Sequence, residues 1–276
     1  MTAVVNSALN RFFDFLFSPF QSLDPWFGML ALSALTAGLM LFVYRHFSNQ
    51  AAIKTTKNRI KAHLLELRLF KDNPRATWSA QAQILLCNFR YLGYSLRPLA
   101  VMFIPLLLVL VQLHFRFGYE SLQVGKPVIL KVKLADSART MKIEASLKAP
   151  SFMAVETPPL RLEQEGEINW RLRALSPGQG LIHVLLDGND FEKTVIVAAK
   201  SIRRISTLRV RKSFLPELLY PSEKPLPRSS SVESIEIGYP ARKMTFFGLR
   251  LHWLIVFFVF SLFFALALKR PFKVEV

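Results

Sequence analysis

The chain has 276 residues, 51% of them hydrophobic, with 24 phenylalanines, a formal net charge of +17 and one cysteine. Three uncharged apolar runs, Phe27–Tyr44, Pro98–Leu113 and Trp253–Leu268, argue against a soluble enzyme, because so small a chain is hard pressed to bury three such helices away from lipid. The lone Cys87 excludes a disulfide framework, and no aromatic-interleaved basic motif marks a reader of nucleic-acid bases.

Taken in chain order, residues 4–20 have the pattern of an amphipathic helix. Asn6, Asn10, Asp14 and Ser18 recur every fourth residue as a polar stripe, while Leu9, Phe12, Phe13, Leu16, Phe17 and Phe20 cover the rest. So wide an apolar face with so little charge predicts a helix lying in the membrane interface. Pro19 and Pro25 redirect the chain into a first span of about 27 Å. No cleavable leader is expected, since Asn6, Asn10, Arg11 and Asp14 interrupt the early apolar stretch.

Between Arg45 and Arg97 stand ten Lys/Arg against Glu66 and Asp72, and Lys269, Arg270 and Lys273 follow the last run. The positive-inside rule therefore puts this segment and the C-terminus in the cytosol, and the N-terminus outside. The segment reads as a basic helical hairpin. Ile53, Ile60, Leu64 and Leu67 share one face of its first helix, Pro74 forces the break, and a second helix runs from about Thr77 to Ser95. Its cations Lys54, Lys57, Arg59, Lys61, Arg68, Lys71 and Arg75 make it a candidate docking arm for a partner macromolecule.

After Tyr119 the periodicity changes to strands: Val128–Lys133, Lys142–Leu147, Ile168–Leu172, Leu181–Leu186, Thr194–Ala198 and a last one near Leu208–Arg211. Ser176-Pro177-Gly178 and Asp187-Gly188-Asn189-Asp190 carry turn chemistry between them. Strands at this spacing predict an immunoglobulin-like β-sandwich without the usual cysteine pair. Lys200–Lys212 holds six Lys/Arg and would lie outside. Five prolines and Ser229-Ser230-Ser231 in residues 215–240 predict an extended tether back to the membrane.

The predicted fold is an α-helical membrane protein with three transmembrane helices and a cytosolic hairpin, plus an all-β immunoglobulin-like sandwich. Its parts are an interfacial helix (1–25), a first span (26–45), the hairpin (46–96), a second span (97–115), the sandwich (116–212), the tether (213–245), a third span (246–268) and a cytosolic tail (269–276). Catalysis is not expected. The five histidines are scattered without metal spacing, and no phosphate loop or nucleophile elbow occurs. Glu163, Glu165 and Glu167 alternate as on a strand's solvent face, so neither metal nor cofactor is expected. The absence of any Asn-x-Ser/Thr site agrees with a bacterial envelope.

An external interfacial helix, a span ending Phe42-Val43-Tyr44-Arg45, the basic hairpin Gln50–Leu96 and a second span containing Phe103-Ile104-Pro105-Leu106 resemble the YidC/Oxa1 insertase superfamily, in its three-span EMC3/TMCO1-like branch. The resemblance covers about residues 5–116 and the last span, and rests on architecture more than on sharp motifs. It implies a membrane insertase or membrane chaperone whose hydrophilic groove eases polar segments into the bilayer. Arg45 would be the groove arginine, with Thr36 and Gln112 as polar lining. The implied partners are lipids, nascent membrane proteins, the ribosome at the hairpin and a second membrane subunit. The alternative is a non-catalytic envelope scaffold, whose sandwich recruits an extracytoplasmic protein.

Overall fold

The structure, a computed structural model, describes residues 2–20, 23–70, 73–198, 202–246 and 248–272. It divides into two compact units: residues 1–28 with 111–253, and residues 29–110 with 254–276.

The second unit is helical. Helix α2 (Pro25–Phe47) starts where Asp24 caps it, its carboxylate accepting from the Trp26 N–H at 3.0 Å with Pro25 in the first helical position. Asn49 caps α3 (Gln50–Leu69) in the same way through the Ala52 N–H at 3.0 Å. Asn73 and Pro74 then open α4 (Pro74–Phe117). The sequence predicts a helix ending near Ser95 and a separate span. Instead α4 is one helix of 44 residues that runs through Pro98 and Pro105. Each proline deletes one backbone donor without ending the helix, as apolar spans tolerate.

Ile53 and Thr56 of α3 and Ala80 and Cys87 of α4 are buried, and Lys57 Nζ of α3 lies 5.8 Å from the ring centre of Tyr91 of α4. The segment Pro25–Phe47 and the part Thr77–Phe117 of α4 are long and apolar enough to cross a membrane, while α6 (Trp253–Leu268) is apolar but shorter.

In the first unit, α1 (Thr2–Phe17) is followed by a 3-10 turn and, beyond α4, by antiparallel sheets. Gly118 closes α4, and a side chain there would bring its Cβ within 2.4 Å of the His114 carbonyl oxygen. The larger sheet has the order β3 (Met153–Val155), β5 (Glu167–Ala174), β1 (Pro127–Leu134), β9 (Val232–Ile237), β8 (Leu208–Val210), and β4 (Leu160–Leu162) also pairs with β5. A second sheet runs β2 (Ala145–Lys148), β6 (Gly178–Leu186), β7 (Asn189–Val197), and β10 (Lys243–Phe246) pairs with β11 (Leu249–His252).

Strict alternation on β1 buries Val128, Leu130, Val132 and Leu134, and β5 buries Ile168, Trp170, Leu172 and Ala174. These residues join Ile182, Val184 and Leu186 of β6 in one apolar cluster. Between β6 and β7, Asp187 and Gly188 both take positive φ (45° and 76°), as a two-residue hairpin loop matching strand twist requires. Tyr239 ties β7 to the end of β9, its hydroxyl accepting from the Ile196 N–H at 3.1 Å.

Residues 213–245 are not an extended tether. They carry the short helix α5 (Phe214–Leu219) and β9, which lies between β1 and β8 with Val232, Ile235 and Ile237 fully buried. The physical reason is the gain from burying three branched side chains on an open edge of β1. A register shift opposite Lys133/Leu134 breaks the period-2 pattern, which is why Val232 and Ile235 stand three residues apart yet both face inward.

Ile235→Ala should therefore lower stability by about 2–5 kcal/mol, whereas Arg228→Ala, on an exposed loop, should stay within about 0.5 kcal/mol. Thermal unfolding of the detergent-solubilised full chain, followed by the emission of core Trp170, measures both. A tether would make both changes neutral.

Candidate functional site

Asn6, Asn10 and Asp14 of the α1 polar stripe bond to other parts of the protein. Asn6 Nδ2 donates to the Glu217 carbonyl at 2.7 Å, and Asn10 Nδ2 to the Pro221 carbonyl at 2.7 Å. Asn10 Oδ1 in turn accepts from Gln112 Nε2 at 2.9 Å, and Gln112 Oε1 from Arg116 Nη1 at 3.0 Å. Arg116 Nη2 closes the chain by donating to Asp14 Oδ1. The spacing explains the fit: residues four apart share a helix face, so Asn10 and Asp14 meet Gln112 and Arg116 pair by pair.

Arg116 is 1% exposed. Its guanidinium lies over the rings of Phe13 and Phe17, 5.9 and 5.1 Å from their centres, which suits a weakly hydrated planar cation. Arg204 adds a second cation, 3.6 Å from Asp14 Oδ2.

Next to this cluster lies a cavity of about 340 Å³, lined by Asp14, Arg116, Gln179, Arg203, Arg204 and Glu223 among others. Its floor continues into a buried ion pair. Lys193 Nζ donates to Glu223 Oε2 at 2.6 Å and to the carbonyl and hydroxyl of Ser206 at 2.8 and 2.9 Å. Glu223 Oε1 accepts from the Thr194 N–H at 2.6 Å. Burial pushes Lys193 below the ordinary lysine value, against the pull of Glu223. Burial also opposes ionisation of Glu223, yet the Lys193 charge and hydrogen bonds from Lys193 and Thr194 hold it below the usual carboxylate range.

The sequence-derived candidates fall in different places. Gln112 is buried in the cluster just described, its side-chain oxygen and nitrogen both engaged with protein. It positions Arg116 and Asn10 rather than presenting a free amide. Thr36 is buried on α2, one turn from Ser33, whose hydroxyl has no hydrogen-bond partner among the described residues. Arg45 stands exposed in the last turn of α2. On the hairpin Lys54, Arg59, Lys61, Arg68 and Arg75 are exposed and Lys57 is half-buried over Tyr91, while Lys71 lies outside the described residues, as does Lys200 of the basic run.

Arg116 itself, with Asp14 as its partner, was hidden at the end of an apolar run. Four-residue spacing sets Gln112 with Arg116 and Asn10 with Asp14, but nothing local pairs one helix with the other. Among the described residues no group of three or more His, Cys, Asp or Glu could hold a metal ion. No protein-family model matches the chain, and no curated protein and no solved structure matches it.

Lys193→Met strands a buried carboxylate and should cost about 3–5 kcal/mol, whereas Lys193→Met combined with Glu223→Gln should cost clearly less than the two single changes summed. The sign of the pH effect follows from Glu223. Its depressed folded value means that its contribution is complete above the ordinary 4.5 and lost as pH falls through the folded value. Thermal unfolding from about pH 7 to about pH 3 should show a steeper acid loss in the wild type than in Glu223→Gln.

Proposed function

We propose that this chain is an integral protein of a bacterial inner membrane that eases polar segments of other membrane proteins into the bilayer, as a YidC/EMC3-like insertase or membrane chaperone. In this reading α6 is a third span, the two sheets form an immunoglobulin-like sandwich outside the cell, and the α3–α4 hairpin and the C-terminus lie in the cytosol. No catalytic step is involved.

The observation that carries the reading is the order α2–α3–α4: two span-length apolar segments, with the basic helix α3 and the basic first half of α4 between them. At 1.5 Å per residue α4 is about 66 Å long, roughly twice the hydrocarbon thickness. Its basic half must therefore project well beyond the bilayer, where a ribosome or nascent chain can meet it. Within α2, Ser33 and Thr36 are polar groups inside an apolar helix, and Arg45 ends it among exposed residues. A polar path of this kind lowers the several kcal/mol that each unsatisfied polar group costs in hydrocarbon. Arg45 supplies a cation for acidic residues of the incoming chain.

A second reading, an envelope scaffold, draws on the cluster in which buried Arg116 and Gln112 meet Asp14. A charged, hydrogen-bonded seat between α1 and the end of α4 suits a domain that recruits an extracytoplasmic partner.

Arg45→Ala should reduce insertion of clients with acidic translocated tails by about tenfold, the loss of about 1.4 kcal/mol of attraction, while neutral-tailed clients and the abundance of the protein stay unchanged. Insertion into inverted vesicles, scored by protease protection of the tail, measures this. A photo-crosslinker at Thr36 that captures ribosome-stalled membrane proteins but not soluble nascent chains belongs to the insertase. Capture of one stable membrane protein alone belongs to the scaffold.

A further inference from the structure

Helix α4 carries two apolar seams on opposite sides, and among the described residues only one of them is covered. The first, Ala80, Ile84, Cys87, Tyr91 and Pro98, is buried or half-buried, and its Tyr91 lies against Lys57 of α3. The second is Leu85, Phe89, Leu92, Leu96, Leu99 and Phe103, at successive intervals of four, three, four, three and four. Trp78 and the exposed Ala82 extend it one heptad toward the start of the helix. Its large side chains, from Trp78 to Phe103, are between 51% and 75% exposed. An alternating four–three repeat over some 25 residues is the a/d pattern of a coiled coil, and it specifies another helix as the occupant. At 1.5 Å per residue the seam is about 37 Å long.

We propose that this seam pairs with the same seam of a second copy, as a parallel two-stranded coiled coil. The charge pattern selects a second copy over a foreign helix. The chain has a formal charge of +17, yet no charged residue falls on the seam or on its two flanks between Trp78 and Phe103. The flanking e positions are Ser79, Leu86, Gly93 and Ala100, and the g positions are Gln81, Asn88, Ser95 and Met102. The two cations in this stretch, Arg90 and Arg97, both fall at b, on the outer side of such a pair.

Two equally basic copies therefore meet without like-charge repulsion, whereas a dedicated acidic partner would be matched by cations at e and g. Gly93, Ser95 and Ala100 let the backbones approach closely. Copies inserted in one membrane share their orientation, so the pairing is parallel and each seam residue meets its own counterpart about a two-fold axis. Because the α3-facing seam lies on the c and f positions, the chain's own hairpin leaves the a and d positions open.

Single cysteines test this in the full chain in its native membranes, in a Cys87→Ser background that removes the only native thiol. Under mild oxidation Phe89→Cys, Leu92→Cys and Leu96→Cys should form disulfide-linked homodimers at least about tenfold more than Arg90→Cys and Tyr94→Cys, since only a and d positions bring two Cα atoms within bridging distance. Differently tagged copies with wild-type seams should co-purify. Leu92→Glu, an exposed position that the fold does not need, should separate them, while Arg90→Glu should not. Equal cross-linking at all five positions, no homodimer at the seam, or seam adducts to a different protein would each overturn the proposal.

Discussion

The buried guanidinium of Arg116 is the constraint around which the first unit is arranged. A cation at 1% exposure is tolerated only when its charge and its N–H groups are matched. Asp14 supplies the charge, Gln112 accepts one N–H, and two phenylalanine faces cover the plane. Satisfying Arg116 thus fixes α1 against the end of α4, and Asn10, bonded to both Gln112 and the Pro221 carbonyl, extends the lock to the loop after α5. An amphipathic helix that would otherwise be free to drift in an interface is held at defined points along its length.

The same logic repeats deeper in the sheets. With no disulfide available, the β-rich part relies on its apolar cluster and on a few fully matched polar groups. Lys193, Ser206, Glu223 and Thr194 form such a set, every charged atom engaged at 2.9 Å or less. Pairs of this type add little net stability over an apolar replacement, but they penalise every arrangement in which one partner is stranded. Their effect here is to join β7, the segment before β8 and the loop after α5, three stretches that no continuous strand connects.

How much of this was legible depends on whether the signal was local. Strands β1, β5, β6 and β7 announce themselves by alternation, and Asp187-Gly188 by its turn chemistry, because strand and turn preferences act over a few residues. Strand β9 was not legible. Prolines and serines surround it, and the register shift against Lys133/Leu134 breaks the alternation of Val232, Ile235 and Ile237. The polar stripe of α1 was readable as a stripe, but a face does not say whether water, lipid or protein covers it. Asp14 and Arg116 are 102 residues apart, and no local pattern joins them. For the candidate groove, burial of Thr36 and exposure of Arg45 follow from tertiary packing, so residue type alone could nominate them but not rank them.

Helix α4 shows how one element can carry several requirements without conflict. Between Trp78 and Phe103 its c and f positions are partly buried, with Tyr91 facing Lys57 of α3, its a and d positions are apolar and exposed, and Arg90 and Arg97 sit at b, while its last two turns deliver Gln112 and Arg116 to the polar cluster. Each role occupies a different angular sector or a different stretch, which a helix of 44 residues allows. The sectors also explain why charge and hydrophobicity coexist on so basic a hairpin. If cations were spread evenly, some would fall beside the apolar seam and raise the cost of covering it. From Trp78 to Phe103 the sector that Arg90 and Arg97 share is a property that neither solubility nor positive-inside bias requires, since both depend on how many charges there are and not on their angle around the helix. The angular restriction therefore points to contact with another surface, and the restricted sector is the one that the chain itself leaves uncovered.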